Sequence, residues 1–348
     1  MLIQTFYKIA DSLKISVRSS LEVLSQIELH LGTYKCESIE GVADILIDSY
    51  DSRPGFQVET VVDDYYYGEG FYHRPVSRMQ INMKSDKQSY FMDDLLLPIN
   101  LIIQIGLLKK RHTFVHGAGV YFEGRNILFP AYPGTGKTTT VASLMNRGGK
   151  LFGDDLCILG KNQLYPFPQS LSVYSHHLPV LGYTSKELLS SFRRAKILGS
   201  IINRLPFKSS IVSKALRFLL NYFKKEAVNL DPKIVFGEDS IAKIGPVDEV
   251  IFLERSDQVD SLGKKTIAIE GASSLASSVL WHEWHDYFHD IFLYDAMSSN
   301  GIWFKELFSE VEEIIKEEFS KIPLSIIKIP ASWDNSVLVK EMPKVLNK

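Results

Sequence analysis

Apolar residues change their spacing along the chain, and each change predicts a different kind of element. In the first ninety residues, short apolar runs alternate with polar positions, as at 58–62 and 79–83, which predicts strands of a small α+β domain. The tyrosine-rich run 63–72 favours a hairpin with aromatic cross-strand pairs, although it could instead line a binding face. The apolar stretch 95–108 is too short to cross a bilayer and predicts a core helix.

The middle of the chain predicts a hairpin followed by a strand, a turn and a helix. Apolar runs at 117–122 and 127–131 flank a short turn and predict two paired strands. A glycine-containing turn follows the second run, and apolar residues at helical spacing then continue to the pair Gly148-Gly149, which ends the helix. The run 151–159 predicts a buried strand interrupted by Asp154 and Asp155.

Helical periodicity dominates the second half. Residues 184–226 predict two helices separated by Pro206, and their charge is strongly basic. This insert could be a lid over an anionic substrate, a docking surface, a membrane-surface element or a solvated face. It could also pair with the acidic side of a helix predicted at 304–315. We therefore expect two domains, an N-terminal domain at 1–95 and a nucleotide-binding domain at 96–348 that carries the insert.

The turn between strand and helix has the composition of a phosphate-binding loop. Residues 131–138 match the pattern G-x-x-x-x-G-K-[ST], except that Ala131 replaces the first glycine. Glycines let backbone N–H groups approach a phosphate, and the helix start directs further N–H groups and its positive dipole end at the same place. Lys137 would bridge the outer phosphates, and the hydroxyl of Thr138 would hold Mg²⁺. The expected nucleotide-binding residues are Pro133, Gly134, Thr135, Gly136, Lys137, Thr138 and Thr139.

Two adjacent carboxylates inside an apolar strand are costly unless a cation or a metal meets them. In a doubly wound sheet the end of this strand would return beside the phosphate loop. One carboxylate could then approach Mg²⁺, while its neighbour faces an acceptor hydroxyl.

Three segments together resemble the core of HPr kinase/phosphorylase and its relatives. They are 116–120 (HGAGV), 133–138 (PGTGKT) and 147–155 (RGGKLFGDD). The resemblance implies an α/β fold with a P-loop kinase core of the HPr kinase/PEP-carboxykinase type, a smaller N-terminal α+β domain and a helical insert. It also implies Asp154 as general base, a metal-side role for Asp155, and an active-site position for His116.

The chain departs from true HPr kinases beyond the acid pair. Their signature carries a glutamate and an arginine there, whereas the run 166–174 contains neither. The expected activity is therefore phosphoryl transfer from ATP, or from ADP or pyrophosphate, to a hydroxyl of a small molecule or a protein serine, in an HPr-kinase-like enzyme that could form homo-oligomers.

Other classes of protein stay open. A P-loop ATPase or switch would use the strand at 250–254, with Glu254 activating water. A nucleotide-sensing binding module would bind ATP without turnover. A PEP-carboxykinase-like enzyme would need a second metal site and an arginine that binds a carboxylate.

The amino-acid composition limits which binding partners and which cellular compartment are expected for this protein. The 348 residues are 45% hydrophobic with a net charge of −2, so no nucleic-acid footprint is expected. The two cysteines have no metal-ligand spacing and suit the reducing cytoplasm, and neither a signal peptide nor a transmembrane segment is expected. The cluster 281–289 holds His282, His285 and His289, which could bind a metal, face the substrate or belong to an aromatic-rich packed helix.

Overall fold

The computed structural model describes most of the chain outside the basic insert. The described residues are 3–19, 21–48, 58–62, 65–68, 70–73, 80–82, 88–91, 99–169, 171–174, 180, 227–297 and 303–346. The predicted insert at 184–226 lies entirely outside these ranges, so its two helices stay a prediction. Within the described residues the architecture is a mixed α/β fold in which two large sheets are covered by helices.

The N-terminal part builds the first sheet. Its described strands run in the order β3-β1-β2-β4-β9-β8-β7-β6-β5. They are β1 (Ile3–Ile9), β2 (Leu13–Ser19), β3 (Lys35–Cys36), β4 (Ile45–Asp48), β5 (Val58–Val62), β6 (Tyr65–Gly68), β7 (Gly70–His73), β8 (Gln80–Asn82) and β9 (Gln88–Phe91), with helix α1 (Leu21–Leu31) after β2. The strands predicted at 58–62 and near 80, and the tyrosine-rich hairpin, are confirmed.

The second sheet carries the glycine-rich loop. Its described strands run in the order β14-β13-β10-β11-β17-β19-β18, and β12 also pairs with β10. The strands are β10 (Thr113–Phe122), β11 (Arg125–Pro130), β12 (Lys150–Gly153), β13 (Leu156–Gly160), β14 (Gln163–Tyr165), β17 (Glu249–Ser256), β18 (Gly263–Thr266) and β19 (Leu324–Pro330), while β15 (Leu171–Tyr174) and β16 (Ala227–Leu230) form a separate pair. The remaining helices are α2 (Ile99–Leu108), α3 (Lys137–Met145), α4 (Pro232–Phe236), α5 (Ile269–Met297), α6 (Trp303–Phe319) and α7 (Asn335–Leu346).

The direction of strand pairing corrects one expectation. In this sheet, β11, β17 and β19 run parallel to one another, whereas β11, β12 and β13 each pair antiparallel with β10. The strand with the two acids therefore does not belong to a doubly wound parallel sheet. It returns to the loop because the chain bends back along β10, the first strand of the predicted hairpin.

Alternating side chains of β17 separate two buried layers. Ile251 and Leu253 pack with Val141 of α3 and Leu338 of α7 on one face. The opposite face places Phe252 against α6, and this larger cluster also contains apolar side chains from β1, β2 and β4. One apolar core therefore joins the N-terminal sheet to the second sheet, and the proposed boundary near residue 95 stays a prediction.

The C-terminal amphipathic helix is confirmed as α6, whose apolar stripe is buried at Leu307, Val311 and Ile315. Its acidic side contacts Arg111, whose Nη2 lies 2.5 Å from Oε2 of Glu317. The expected pairing with the basic insert lies outside the described residues. Of the helices that the structure describes, none combines the length and the apolar character needed to cross a membrane.

Candidate active site

The glycine-rich loop joins the end of β11 to the start of α3, as the sequence predicts. Gly134 and Gly136 take positive φ angles of 75° and 104°, in the left-handed region that favours glycine. Gly136 is the N-cap of α3, and a Cβ at this position would lie 2.6 Å from Cδ2 of Leu338. The loop is therefore shaped by two glycine-dependent bends, the second of which is pressed against α7.

Lys137 is buried at the base of this loop. Its Nζ lies 2.5 Å from Nε2 of His116, 3.5 Å from the carbonyl oxygen of Ala131 and 3.5 Å from Oδ1 of Asp155. The three contacts hold the positively charged ammonium of Lys137 between the glycine-rich loop and the acid pair.

His116 lies within β10, and its side chain is buried. Burial, followed by the charges of Lys137 and His282, lowers the pKa of His116 to about 2. The imidazole is therefore neutral at physiological pH, and its Nε2 accepts the hydrogen bond that Lys137 donates. Oε1 of Glu283, from α5, lies 4.0 Å from the same nitrogen.

The two acids occupy the bend between β12 and β13. The backbone N–H of Gly117 donates to the carbonyl oxygen of Asp155 at 2.9 Å, which fixes the bend against β10. Asp154 is buried, and its Oδ2 accepts a hydrogen bond of 3.0 Å from Oγ1 of Thr138. Asp155 is half exposed and reaches Lys137.

The buried carboxyl of Asp154 has a strongly perturbed proton affinity. Burial, with a further contribution from the charge of Asp155, raises its pKa to about 7, although Lys137 and the hydrogen bond from Thr138 oppose the shift. Its Oδ1 has no hydrogen-bond partner among the described residues. A carboxylate with a pKa near neutrality and a free buried oxygen has the properties required of a general base.

The structure brings five predicted residues into one site, namely His116, Lys137, Thr138, Asp154 and Asp155. The contact of Thr138 is with Asp154. Thr139, a predicted nucleotide-binding residue, is buried within α3. Glu254, the residue that would activate water in an ATPase, has its carboxylate 3.7 Å from Nζ of Lys328.

Helix α5 brings two residues to the site: His282, one of the histidines that could face the substrate, and Glu283, which the sequence did not place there. His282 packs against Tyr132, within the phosphate loop, in a T-shaped arrangement with 5.4 Å between the ring centroids. Trp284 is buried against Phe114, so residues 281–284 pack as an aromatic-rich helix, as one interpretation of the cluster predicts. The side chains of His285 and His289 lie outside the described residues. Helical spacing had singled out the cluster, but spacing alone could not show which residue faces the loop.

The oxygen atoms that the described residues bring to the site are too few to bind a metal ion without other ligands, but they suit Mg²⁺, which also binds water and phosphate oxygens. Within the described residues no three His, Cys, Asp or Glu side chains form a metal-binding group. Mg²⁺ is usually bound by one or two carboxylates together with water and phosphate oxygens. The Thr138 hydroxyl, Asp155 and the unpartnered Oδ1 of Asp154 provide such a partial set.

No protein-family model matches this chain, and no curated protein matches it in sequence. Among solved structures, the Hpr(Ser) kinase/phosphatase from Coxiella burnetii is similar over 68% of this chain and 97% of its own length, with 12% sequence identity and a TM-score of 0.27. Similarity at this level carries no argument about family, substrate or mechanism.

Proposed function

We propose that this chain is a phosphotransferase that moves a phosphoryl group from a nucleotide, ATP in the first instance, to a hydroxyl group. The supporting observation is the meeting of the glycine-rich loop with the acid pair, in which Thr138 bonds to Asp154 and Lys137 lies 3.5 Å from Asp155. A phosphate held by the loop would therefore lie beside a buried base.

The loop and the start of α3 would bind the nucleotide phosphates. Positive-φ glycines bring backbone N–H groups toward an anion, and the dipole of α3 favours negative charge at the same place. Lys137 would neutralise the outer phosphates, and the neutral His116 would orient its ammonium. Since phosphoryl transfer asks the protein mainly for positioning and charge neutralisation, these groups would supply most of the catalytic effect.

The acid pair would divide two tasks. Thr138 and Asp155 would hold Mg²⁺, which neutralises charge on the transferred phosphate. Asp154 would take the proton of the acceptor hydroxyl as its oxygen forms a bond to the γ-phosphorus and the bond to the β–γ bridging oxygen breaks, leaving ADP. A pKa near 7 suits this step, because about half of the carboxyl is then ionised near pH 7 while the carboxylate still binds a proton well.

The acceptor is a hydroxyl on a small molecule or on a protein, and one assay separates the alternatives. Purified protein is incubated with γ-labelled ATP and a fractionated cell extract, with Asp154→Asn and the exposed-site control Asp260→Asn run in parallel. We expect label in a metabolite or protein fraction with wild type and Asp260→Asn, but not with Asp154→Asn.

Two results would contradict the proposal. Labelled phosphate released without a labelled acceptor would indicate an ATPase, and tight ATP binding without turnover would indicate a nucleotide-sensing module.

A further inference from the structure

Arg255 lies at the edge of the sheet where the phosphate loop begins. It is the penultimate residue of β17, which runs parallel to β11. Ligands of open α/β sheets bind beyond the carboxyl ends of parallel strands, and this is where Arg255 and the loop after Pro130 lie side by side. Its Nη2 is 4.0 Å from the position that a Cβ on Gly136 would occupy.

The strand alternation directs Arg255 to the same side of the sheet as the loop helix. Ile251 and Leu253 pack with α3 and α7, and Arg255 continues this series at the same spacing. Glu254 points to the opposite face, where it pairs with Lys328. Glu254 and Arg255, the two charged residues near the end of β17, therefore lie on opposite faces of the sheet.

Among the described residues, the hydrogen-bond acceptors of the guanidinium come from one turn. Its Nη1 donates to the carbonyl oxygen of Trp333 at 2.8 Å, and that of Ala331 lies 3.5 Å away. The turn that supplies these oxygens is itself fixed, because Ala331 donates to the carbonyl of Ser256 and Asp334 caps α7 through the N–H groups of Ser336 and Val337. Arg255 is thus oriented by backbone oxygens that leave its positive charge uncompensated.

No carboxylate pairs with Arg255 in the part of the chain that the structure describes. Lys137, the other cation at the loop, already lies 3.5 Å from Asp155. A polyphosphate bound at the loop carries more negative charge than one lysine neutralises, and a guanidinium offers planar, paired donors that match phosphate oxygens.

We propose that Arg255 is a phosphate-binding residue that closes the glycine-rich loop from the side of β17 and α7 and contacts the polyphosphate through Nη2. This inference rests on the proposed nucleotide site, but it concerns phosphate binding and not phosphoryl transfer. The C-terminal turn that orients Arg255 becomes part of the binding site, so that α7 both supports Gly136 and aligns the arginine.

Binding of tripolyphosphate and of ATP, measured by calorimetry without an acceptor, tests this role. We expect Arg255→Gln to weaken binding of both ligands about 10- to 100-fold, as expected for the loss of a charge-assisted contact. Lys328→Gln is the matched control, because it removes a cation from the opposite face of the same sheet edge, and we expect it to leave both affinities unchanged. The slope of affinity against salt should also fall in Arg255→Gln alone.

Thermal unfolding in the absence of ligand separates binding from support of the turn. If Arg255→Gln does not fold, Arg255→Lys provides the comparison, since lysine keeps the charge but loses the paired donors, and we expect a smaller loss of affinity. Unchanged affinity for tripolyphosphate in Arg255→Gln, or in Arg255→Lys where Arg255→Gln does not fold, would overturn the role of Arg255 and leave the proposed kinase function intact.

Two further outcomes distinguish the inference from the function. Binding of tripolyphosphate that depends on Arg255, without transfer to any acceptor, would support the inference while the proposed function failed. A wild-type protein that bound neither tripolyphosphate nor ATP would overturn both.

Discussion

Thr138 and Asp154 are joined by a hydrogen bond of 3.0 Å that links the first turn of α3 to the bend between β12 and β13. The hydroxyl donates, and Oδ2 of the buried carboxylate accepts. This contact ties the phosphate loop to the proposed base.

Asp154→Asn should retain nucleotide binding and lose most phosphoryl transfer. Asparagine preserves the size of the side chain and a hydrogen-bonding oxygen for Thr138, but it cannot take the acceptor proton. General-base contributions are about 10²–10⁴ in rate, and a loss in this range is expected in kcat. Steady-state kinetics with the identified acceptor, together with ATP titration, measures both quantities. Transfer at the wild-type rate would remove Asp154 as the base.

The same substitution should change how stability depends on pH. The pKa of Asp154 is raised from 3.8 to about 7 in the folded protein, so between these pH values the folded state binds more protons than the unfolded state. The free energy of unfolding of wild type therefore contains a contribution that falls as pH rises, by up to about 1.4 kcal/mol per pH unit. Asparagine removes this contribution because it does not titrate.

Urea unfolding of wild type and Asp154→Asn at pH 5, 6, 7 and 8 measures the difference. We expect the variant to gain stability relative to wild type as pH rises, with the gain levelling off above about pH 7. Asp260→Asn, at an exposed position, should show no such trend. A difference independent of pH would mean that Asp154 titrates at its ordinary value.

Lys137→Met should weaken both nucleotide binding and transfer. The substitution removes the ammonium that lies between His116 and Asp155 but keeps an unbranched side chain of similar length. Loss of its contact with a phosphate should reduce ATP affinity about 10- to 100-fold. Lys243→Met, at an exposed position, is the control. Equal ATP affinity in the two variants would separate Lys137 from the phosphates.

His116 should stay neutral throughout the pH range in which the protein is studied. Its pKa is lowered to about 2, mainly by burial and then by Lys137, so protonation near pH 6.5 is not expected. NMR titration of the histidine ring protons from pH 8 to 5, with His116→Asn to assign the signal, measures this directly. A His116 signal that moved with a midpoint near 6.5 would contradict the buried contact with Lys137.

Local features of the fold were predictable from the sequence. The bends at Gly134 and Gly136, the start of α3 and the interruption of a buried strand by two acids each depend on a few neighbouring residues. Turn-forming residues and the spacing of apolar residues predict such local features directly. The expected closeness of loop and acids was right, but the doubly wound parallel sheet from which it was expected was wrong, because β12 and β13 pair antiparallel with β10.

Features that depend on distant segments were not predictable in the same way. Arg255 approaches Gly136 only because β17 is the parallel neighbour of β11, and Glu283 approaches His116 only because α5 lies across β10. Neither pairing leaves a local pattern in the sequence. The histidine-rich segment was singled out, but its orientation was decided by the burial of Trp284 against Phe114.

The two loop glycines should respond differently to alanine, although both have positive φ angles. A Cβ at Gly134 would meet nothing within 4 Å, so Gly134→Ala should cost only the strain of the left-handed backbone, about 1–2 kcal/mol of unfolding free energy. A Cβ at Gly136 would also clash with Leu338 at 2.6 Å, and overpacking adds about 1–3 kcal/mol. Urea unfolding of both variants measures the difference, and a double-mutant cycle with Leu338→Ala isolates the clash. Leu338→Ala should destabilise the protein less in the Gly136→Ala background than in wild type, but equally in the Gly134→Ala background. Equal costs in all three would show that α7 does not press on the loop.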